Sequence, residues 1–179
     1  MKRLKWFIIF IFIPFSATLA ELQNNPITTN VPTIQANKPS PAANTVESVV
    51  YEKNVKSEMT TVYKQLFTAL ENNGYFVIFE PNIGKNLEHF ATRWGDDYNK
   101  NKIKSIRSMI FCSGWYANQI SNLDPRLLAL CPLHITLYQK DDMTHILFIR
   151  PAKIAAGSPA EKVIRELEDD VIRTINGAL

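Results

Sequence analysis

The feature that most constrains the fold is a stretch in which apolar and other residues alternate, over 133–139 and again over 144–150. Alternation with a period of two is typical of strands with one buried face. The Asp-Asp pair between the two runs favours a turn, so a β-hairpin is predicted. Pairing Tyr138 with His145 places five apolar side chains on one face: Leu133, Ile135, Leu137, Ile146 and Phe148. A slip of one residue would mix the two faces, so this register is expected, and helices must cover the apolar face.

The second face of the hairpin combines polar, aromatic and apolar side chains. It carries six of them: His134, Thr136, Tyr138, His145, Leu147 and Ile149. Such a face suits a shallow ligand site or self-association, and we expect a homodimer through it. Because His134 and His145 are separated by about 13 Å along the strand at ~3.3 Å per residue, no shared metal site is predicted.

Three more strands and a first helix are predicted before the hairpin. The strands cover 46–55, 75–80 and 106–112. Ser57 is expected to cap the helix between the first two strands, and Asn73-Gly74 to end it.

Two further helices complete the predicted fold. Asn82 can cap the first, whose expected inner face consists of Ile83, Leu87, Phe90 and Trp94, before a polar turn at 100–104. A capping box at 158–161 begins the last helix. Its expected inward residues are Val163, Ile164, Leu167, Val171 and Ile175, and Gly177 ends it. The predicted fold class is α+β, with an antiparallel sheet and helices packed on one face.

The first twenty residues have the order of a secretory signal. Lys2, Arg3 and Lys5 precede an apolar run over 6–15, and small residues follow up to Ala20. The apolar run is about half the ~20 residues that span a bilayer. We therefore predict export to the periplasm or the exterior after cleavage near Ala20. An uncut signal that anchors the chain in the membrane is the alternative.

Loss of this segment changes the charge of the chain. It removes three of the 20 Lys and Arg residues and none of the 17 Asp and Glu residues, which leaves a formal net charge of zero. The basic character of the full chain is therefore no sign of a nucleic-acid partner, and none is predicted.

Residues 21–45 form a predicted flexible linker. This Pro-, Asn- and Thr-rich segment has no aromatic residue and almost no charge, so it cannot bury enough apolar surface to order itself. One domain is predicted over 46–179.

The two cysteines, Cys112 and Cys131, form a candidate disulfide. Export to an oxidising compartment favours the bond, which would close a loop of about twenty residues worth roughly 3 kcal/mol. Two free thiols, or a redox or metal-binding pair, are the alternatives.

The segment between the cysteines is expected to leave the sheet as a long loop. It contains Trp115 and Tyr116 beside Asn118 and other amides, a composition typical of binding loops. The alternative is that Trp115 covers the edge of the core while the amides satisfy loop backbone. Asp124-Pro125 predicts a short helix over 126–130.

Several of these motifs together resemble the domain-of-unknown-function family 302. They are the run from Phe111 to Tyr116, then Asp124-Pro125, then Leu130-Cys131-Pro132-Leu133, followed by the hairpin. The helix, Gly74 and the strand after it also fit, so the resemblance covers about 50–175. It implies a fold like the TATA-binding-protein grouping, a curved antiparallel sheet backed by helices. It implies no activity.

The sequence contains no phosphate-binding loop, dinucleotide fingerprint or nucleophile elbow. We therefore expect a non-enzymatic cell-envelope domain that binds a partner or a small ligand, with no predicted cofactor. One alternative is a thiol-dependent activity of Cys112 and Cys131. The other is a small-molecule or haem carrier that uses Trp115 and Tyr116 with His134 or His145.

Overall fold

The computed structural model of the chain describes residues 49–179. The predicted signal, the predicted linker and the first residues of the predicted first strand lie outside the described residues. Within the described part, no helix is long and apolar enough to cross a membrane.

One antiparallel sheet of five strands forms the centre of the domain, in the order β1-β5-β4-β3-β2. The strands are β1 (Val50–Val55), β2 (Phe76–Phe79), β3 (Ser105–Cys112), β4 (Leu133–Lys140) and β5 (Met143–Ile149). The hairpin of β4 and β5 pairs Tyr138 with His145, Leu137 with Ile146 and Ile135 with Phe148. The predicted hairpin register is therefore confirmed.

Six helices accompany the sheet within residues 49–179. They are α1 (Met59–Asn72), α2 (Ile83–Glu88), α3 (Ala91–Trp94), α4 (Gly114–Leu123), α5 (Pro151–Ile154) and α6 (Glu161–Gly177). Short 3-10 helices cover Gly95–Asp97 and Pro125–Leu130. The α+β class is confirmed, while the likeness to the TATA-binding-protein grouping stays a prediction.

The hydrophobic core lies between one face of the sheet and the helices α1, α4 and α6. Ile135, Leu137, Ile146 and Phe148 from the sheet are buried there. Leu66 and Leu70 of α1, Ile120 of α4 and Ile164, Val171 and Ile175 of α6 complete it. Most of the predicted inner face of the last helix is confirmed, although Val163 is only half-buried and Glu168 is buried instead.

The start of α1 differs from the prediction. The helix begins at Met59 without a side-chain cap of its own, so Ser57 is not its cap. The buried side chain of Gln139 accepts a hydrogen bond from the Met59 amide at 3.0 Å. Because this donor is one of the amides that a helix leaves unpaired, β4 supplies the cap that the local sequence lacks. The predicted end at Asn73-Gly74 is confirmed, with Gly74 in the left-handed region.

The predicted single helix after Asn82 is wrong beyond its start. Asn82 does cap α2, but the helix ends at Glu88 and a separate turn, α3, follows. Neither short helix buries a residue, and Leu87, Phe90 and Trp94 are exposed. These side chains are exposed because α2 lies along the outer edge of β3 and not on the core face. A Cβ atom at Gly84 would meet the Ile106 backbone nitrogen at 2.9 Å. The core face is already occupied by longer helices.

The excursion between the cysteines is a helix rather than a loop. Residues 114–123 form α4, which packs against α6 and buries Ile120. Tyr116 is half-buried and stacks on Tyr75, with ring centres 6.4 Å apart. The short helix after Asp124 is confirmed as a 3-10 helix capped by that residue.

Asp124 also ties this 3-10 helix to the segment before α6. Its almost fully buried carboxylate accepts hydrogen bonds from Arg126 and from the Ser158 hydroxyl at 2.9 Å. The Ser158 hydroxyl donates to this carboxylate and also accepts a hydrogen bond from the Ala160 amide. The helix α6 begins later than predicted, at Glu161.

This contact predicts a specific acid sensitivity. The hydrogen bonds from Arg126 and Ser158 lower the pKa of Asp124 to about 2, below the ~3.9 of an unfolded chain. A depressed carboxyl pKa gives stability that is complete above about pH 4 and is lost as pH falls through about 2. We expect Asp124→Asn to remove that part of the pH dependence, as measured by urea unfolding at a series of pH values. Asp142→Asn, on the exposed hairpin turn, is the control and should keep it.

Candidate functional site

The face of the sheet opposite the core is left uncovered by the helices of residues 49–179. We call it the open face. It consists of Val50, Glu52 and Asn54 of β1, Ile106, Ser108 and Ile110 of β3, His134, Thr136 and Tyr138 of β4, and His145, Leu147 and Ile149 of β5. Alternation in each strand places these side chains opposite the core-facing set, as the sequence predicted for the hairpin, although Ser108 is itself buried, at 3% exposed.

The end of the open face nearest the hairpin turn holds a ring stack. Tyr138 and His145 lie face to face across the hairpin, with ring centres 4.2 Å apart and planes inclined by 4°. The His145 Nδ1 atom is 3.1 Å from a carboxylate oxygen of Glu52 on β1. Burial, with the nearby Glu52 carboxylate, raises the pKa of Tyr138. The stack fixes both rings, so this part of the face is rigid.

The margins of the open face are apolar and exposed. Val50 and Ile149 are paired across β1 and β5, and each is 41% exposed. Phe76 and Phe79 of β2, at the other edge of the sheet, are exposed still further. His134 is also exposed. The structure therefore brings the predicted residues His134, Tyr138 and His145 onto one surface.

The other predicted binding residues lie elsewhere. Trp115 and Asn118 are exposed on α4, and Trp115 is 68% exposed, so it does not cover the core. Because α4 packs on α6, on the core side of the sheet, these residues are not brought together with His134 or His145. The two groups of the haem-carrier alternative lie on different elements, α4 and the hairpin, and that alternative stays a prediction. Among the described residues, no three His, Cys, Asp or Glu side chains converge as metal ligands.

The two cysteines are neighbours. Their sulfur atoms are 2.9 Å apart, and the structure holds them as free thiols, so it does not contain the predicted disulfide. Burial, followed by the contact with Cys112, raises the pKa of Cys131 to about 11. Cys131 is thus almost entirely protonated at neutral pH, which makes it a poor nucleophile.

A groove that the sequence did not predict lies beside the outer edge of β3. It encloses about 750 Å³ between α2, α3 and residues 97–106. We call it the α2 groove. Its walls include Lys85, Leu87, Trp94, Tyr98, Ile103 and Lys104. The signal that could have revealed it is the mixture of large apolar residues and lysines over 85–104, of which Leu87 and Trp94 were expected in the core.

A second cluster missed by the sequence joins α1 to the end of β2. The Tyr63 hydroxyl donates to the Glu80 carboxylate at 2.7 Å, and the Arg107 guanidinium lies 3.9 Å from the centre of the Tyr63 ring. Burial and the hydrogen bond to Glu80 raise the pKa of Tyr63. A protonated phenol held in this way fastens α1 to the sheet edge and is not poised to transfer a proton near neutral pH.

Comparison with known proteins identifies the family and shows the fold. The family model described as "Domain of unknown function DUF302" matches residues 51–179. The crystal structure of an uncharacterised conserved DUF302 protein from Bacillus stearothermophilus superimposes with a TM-score of 0.63 at 16% identity. The match covers 73% of this chain and 98% of that one. No curated protein matches the chain significantly. The chain therefore belongs to the family of the domain of unknown function DUF302.

Proposed function

We propose that this chain is an exported, non-enzymatic domain of the cell envelope that associates with a second copy of itself through the open face. The observation that carries the proposal is the uncovered sheet face with exposed apolar margins at Val50 and Ile149. The signal-like residues 1–20 support export, and the linker-like residues 21–45 would give the domain freedom to meet a partner.

The size of the open face fits a weak dimer. The four strands of the open face, about 4.8 Å apart and each about six residues long, give a face of roughly 19 by 20 Å. This projected area of roughly 400 Å² is about half of the ~800 Å² that each partner contributes to a standard interface. We therefore expect a reversible, concentration-dependent dimer.

The charge of the open face favours an identical partner over a charged one. Its interior carries one carboxylate, Glu52, which lies against His145. A face with so little charge offers no strong potential to select an acidic or a basic partner. Two copies related by a twofold axis can meet there without placing like charges in contact.

Replacing Ile149 by lysine tests this interface. A twofold pair of Ile149→Lys chains would bury two unpaired ammonium groups, so we expect the dimer to weaken by roughly a hundredfold. Light scattering on the protein recovered after export, over a range of concentrations, measures the change. Ile154→Lys is the matched control, because Ile154 is exposed on α5, beyond the end of the sheet. A monomer at every concentration, or equal effects of the two variants, would contradict the proposal.

Export has its own test in the mass of the protein recovered from outside the cytosol. Cleavage near Ala20 predicts a product that starts at or close to Glu21. Intact Met1 in a membrane fraction would support the uncut anchor instead. Failure of export would leave the dimer proposal standing, because the dimer depends only on the folded domain.

The thiol pair supports a second role, which is structural. Because their sulfur atoms are only 2.9 Å apart, Cys112 and Cys131 can bond without a large change in the backbone. In an oxidising compartment, both thiols would lose their hydrogens to a small disulfide oxidant, which leaves as two thiols. The raised pKa of Cys131 disfavours this residue as the attacking thiolate.

A further inference from the structure

We propose that the α2 groove binds an amphipathic organic anion, a ligand with an apolar body and one negative charge. The cavity of about 750 Å³ lies within the ~300–1,000 Å³ typical of small-molecule sites. Three observations support this ligand class: the apolar wall, a net positive charge and a preorganised backbone.

The apolar wall of the groove matches the apolar body of the proposed ligand. Leu87 and Trp94 line the groove and are exposed, and Ile103 and Ile106 line it beside them. Phe90 stacks on Trp94 with ring centres 5.2 Å apart, so the indole is supported from one side. An exposed indole held in place offers a rigid surface to an apolar or planar ligand at little cost in conformational entropy.

The charges of the groove match the negative charge of the proposed ligand. Three lysines and two carboxylates line it. Lys100 lies 2.5 Å from the Asp97 carboxylate, and the Lys104 ammonium donates to the Asp141 carbonyl at 2.6 Å. The Lys85 ammonium has no ion pair or hydrogen bond to the residues that the structure describes. With Lys85, Lys100 and Lys104 against the carboxylates of Asp97 and Glu88, the groove lining carries a net charge of +1, which favours one anionic group.

The backbone that forms the groove is preorganised. Asn99 lines it with a φ of 47°, and the neighbouring Lys102 has a φ of 54°, in the left-handed region that non-glycine residues rarely adopt. The Asn99 side chain holds this turn by bonding both the amide and the carbonyl of Ile103 at 2.8 Å. Strained, pinned backbone of this kind concentrates at ligand sites. Gly84 sets the opposite wall, because a larger residue would push α2 off the Ile106 backbone.

The test uses 1-anilinonaphthalene-8-sulfonate, which has an aromatic body and one sulfonate. Titration of this probe into the protein recovered after export should quench tryptophan emission by energy transfer. We expect Trp94→Phe to remove most of this transfer and Trp115→Phe, at the exposed site on α4, to retain it. We expect Lys85→Glu to weaken binding about tenfold or more. Lys162→Glu, on the exposed side of α6, is the matched charge control and should bind like the unchanged protein.

Two competitors distinguish the sources of such an anion. Decanoate, below its micelle concentration, would displace the probe if the groove takes a free organic acid. If the groove takes a lipid headgroup and chain, phosphatidylglycerol vesicles would bind the unchanged protein more tightly than the Lys85→Glu variant. Phosphatidylcholine vesicles would show no such difference between the two proteins. Either result supports the ligand class.

Probe binding that is absent, or unaffected by both Trp94→Phe and Lys85→Glu in folded variants, would overturn the proposal. Ile106 belongs to both the α2 groove and the open face. The titration is therefore repeated in the Ile149→Lys background, where loss of the dimer should leave probe binding intact.

Discussion

Replacing Glu168 by alanine should lower the free energy of unfolding by about 3–5 kcal/mol, as expected when one partner of a buried ion pair is removed. The Glu168 side chain is only 2% exposed, in the middle of α6. It accepts a hydrogen bond from Arg150 Nε at 2.7 Å and another from the Ala152 amide at 2.9 Å. One carboxylate thus fastens the end of β5 and the start of α5 to the last helix.

The expected loss has two parts. The Arg150 guanidinium would remain largely buried without this carboxylate, and the Ala152 amide would lose its acceptor inside the core. Urea unfolding measures the change. Glu166→Ala, two residues away on the exposed side of α6, should change the free energy of unfolding by less than about 0.5 kcal/mol. Similar effects of the two substitutions would show that Glu168 does not hold these elements together.

Oxidation of Cys112 and Cys131 to a disulfide should raise the free energy of unfolding by about 3 kcal/mol, because the bond closes a loop of about twenty residues in the unfolded chain. The pair lies between the end of β3 and the start of β4, and therefore encloses α4 and the 3-10 helix.

The measurement compares urea unfolding after treatment with oxidised or reduced glutathione. Mass spectrometry should show the loss of two hydrogen atoms in the oxidised sample. The Cys112→Ser, Cys131→Ser double variant should unfold identically under both conditions. A pair that stays reduced in excess oxidant, or a bond that brings no stability, would contradict a structural role for the two thiols.

The strand pairing could be predicted because its signal is local. Every second residue of the hairpin is apolar, and a slip of one residue would mix the two faces, so the alternation and the Asp141-Asp142 turn signal together predicted the register. The end of α1 at Gly74 was predictable for the same reason, since a single residue carries the signal.

The helices near the edges were not predictable from local patterns. The amide-rich segment of α4 has weak helix propensity, and packing against α6 makes it helical. Leu87, Phe90 and Trp94 have helical spacing, which indicated a core face, but the strand edge beside Gly84 places them at the surface. The α2 groove could not be predicted for the same reason, because a pattern of apolar residues does not distinguish the core from a binding site.

The position of the candidate surface was only partly predictable. His134, Tyr138 and His145 share the open face as the alternation required, but Glu52, which contacts His145, comes from a strand 93 residues away. No local signal pairs β1 with β5. The polar contact between Glu52 and His145 on the open face therefore becomes visible only with the whole sheet.

Labelling of histidines with diethyl pyrocarbonate, at low and high protein concentration, tests the open-face dimer most directly. The chain has three histidines. His134 is exposed on the open face, and His89 is exposed after α2 and is not one of the residues of that face. We expect a rise in concentration to protect His134 while His89 reacts at an unchanged rate. Equal reactivity of His134 at all concentrations, in protein that remains folded, would contradict association through the open face.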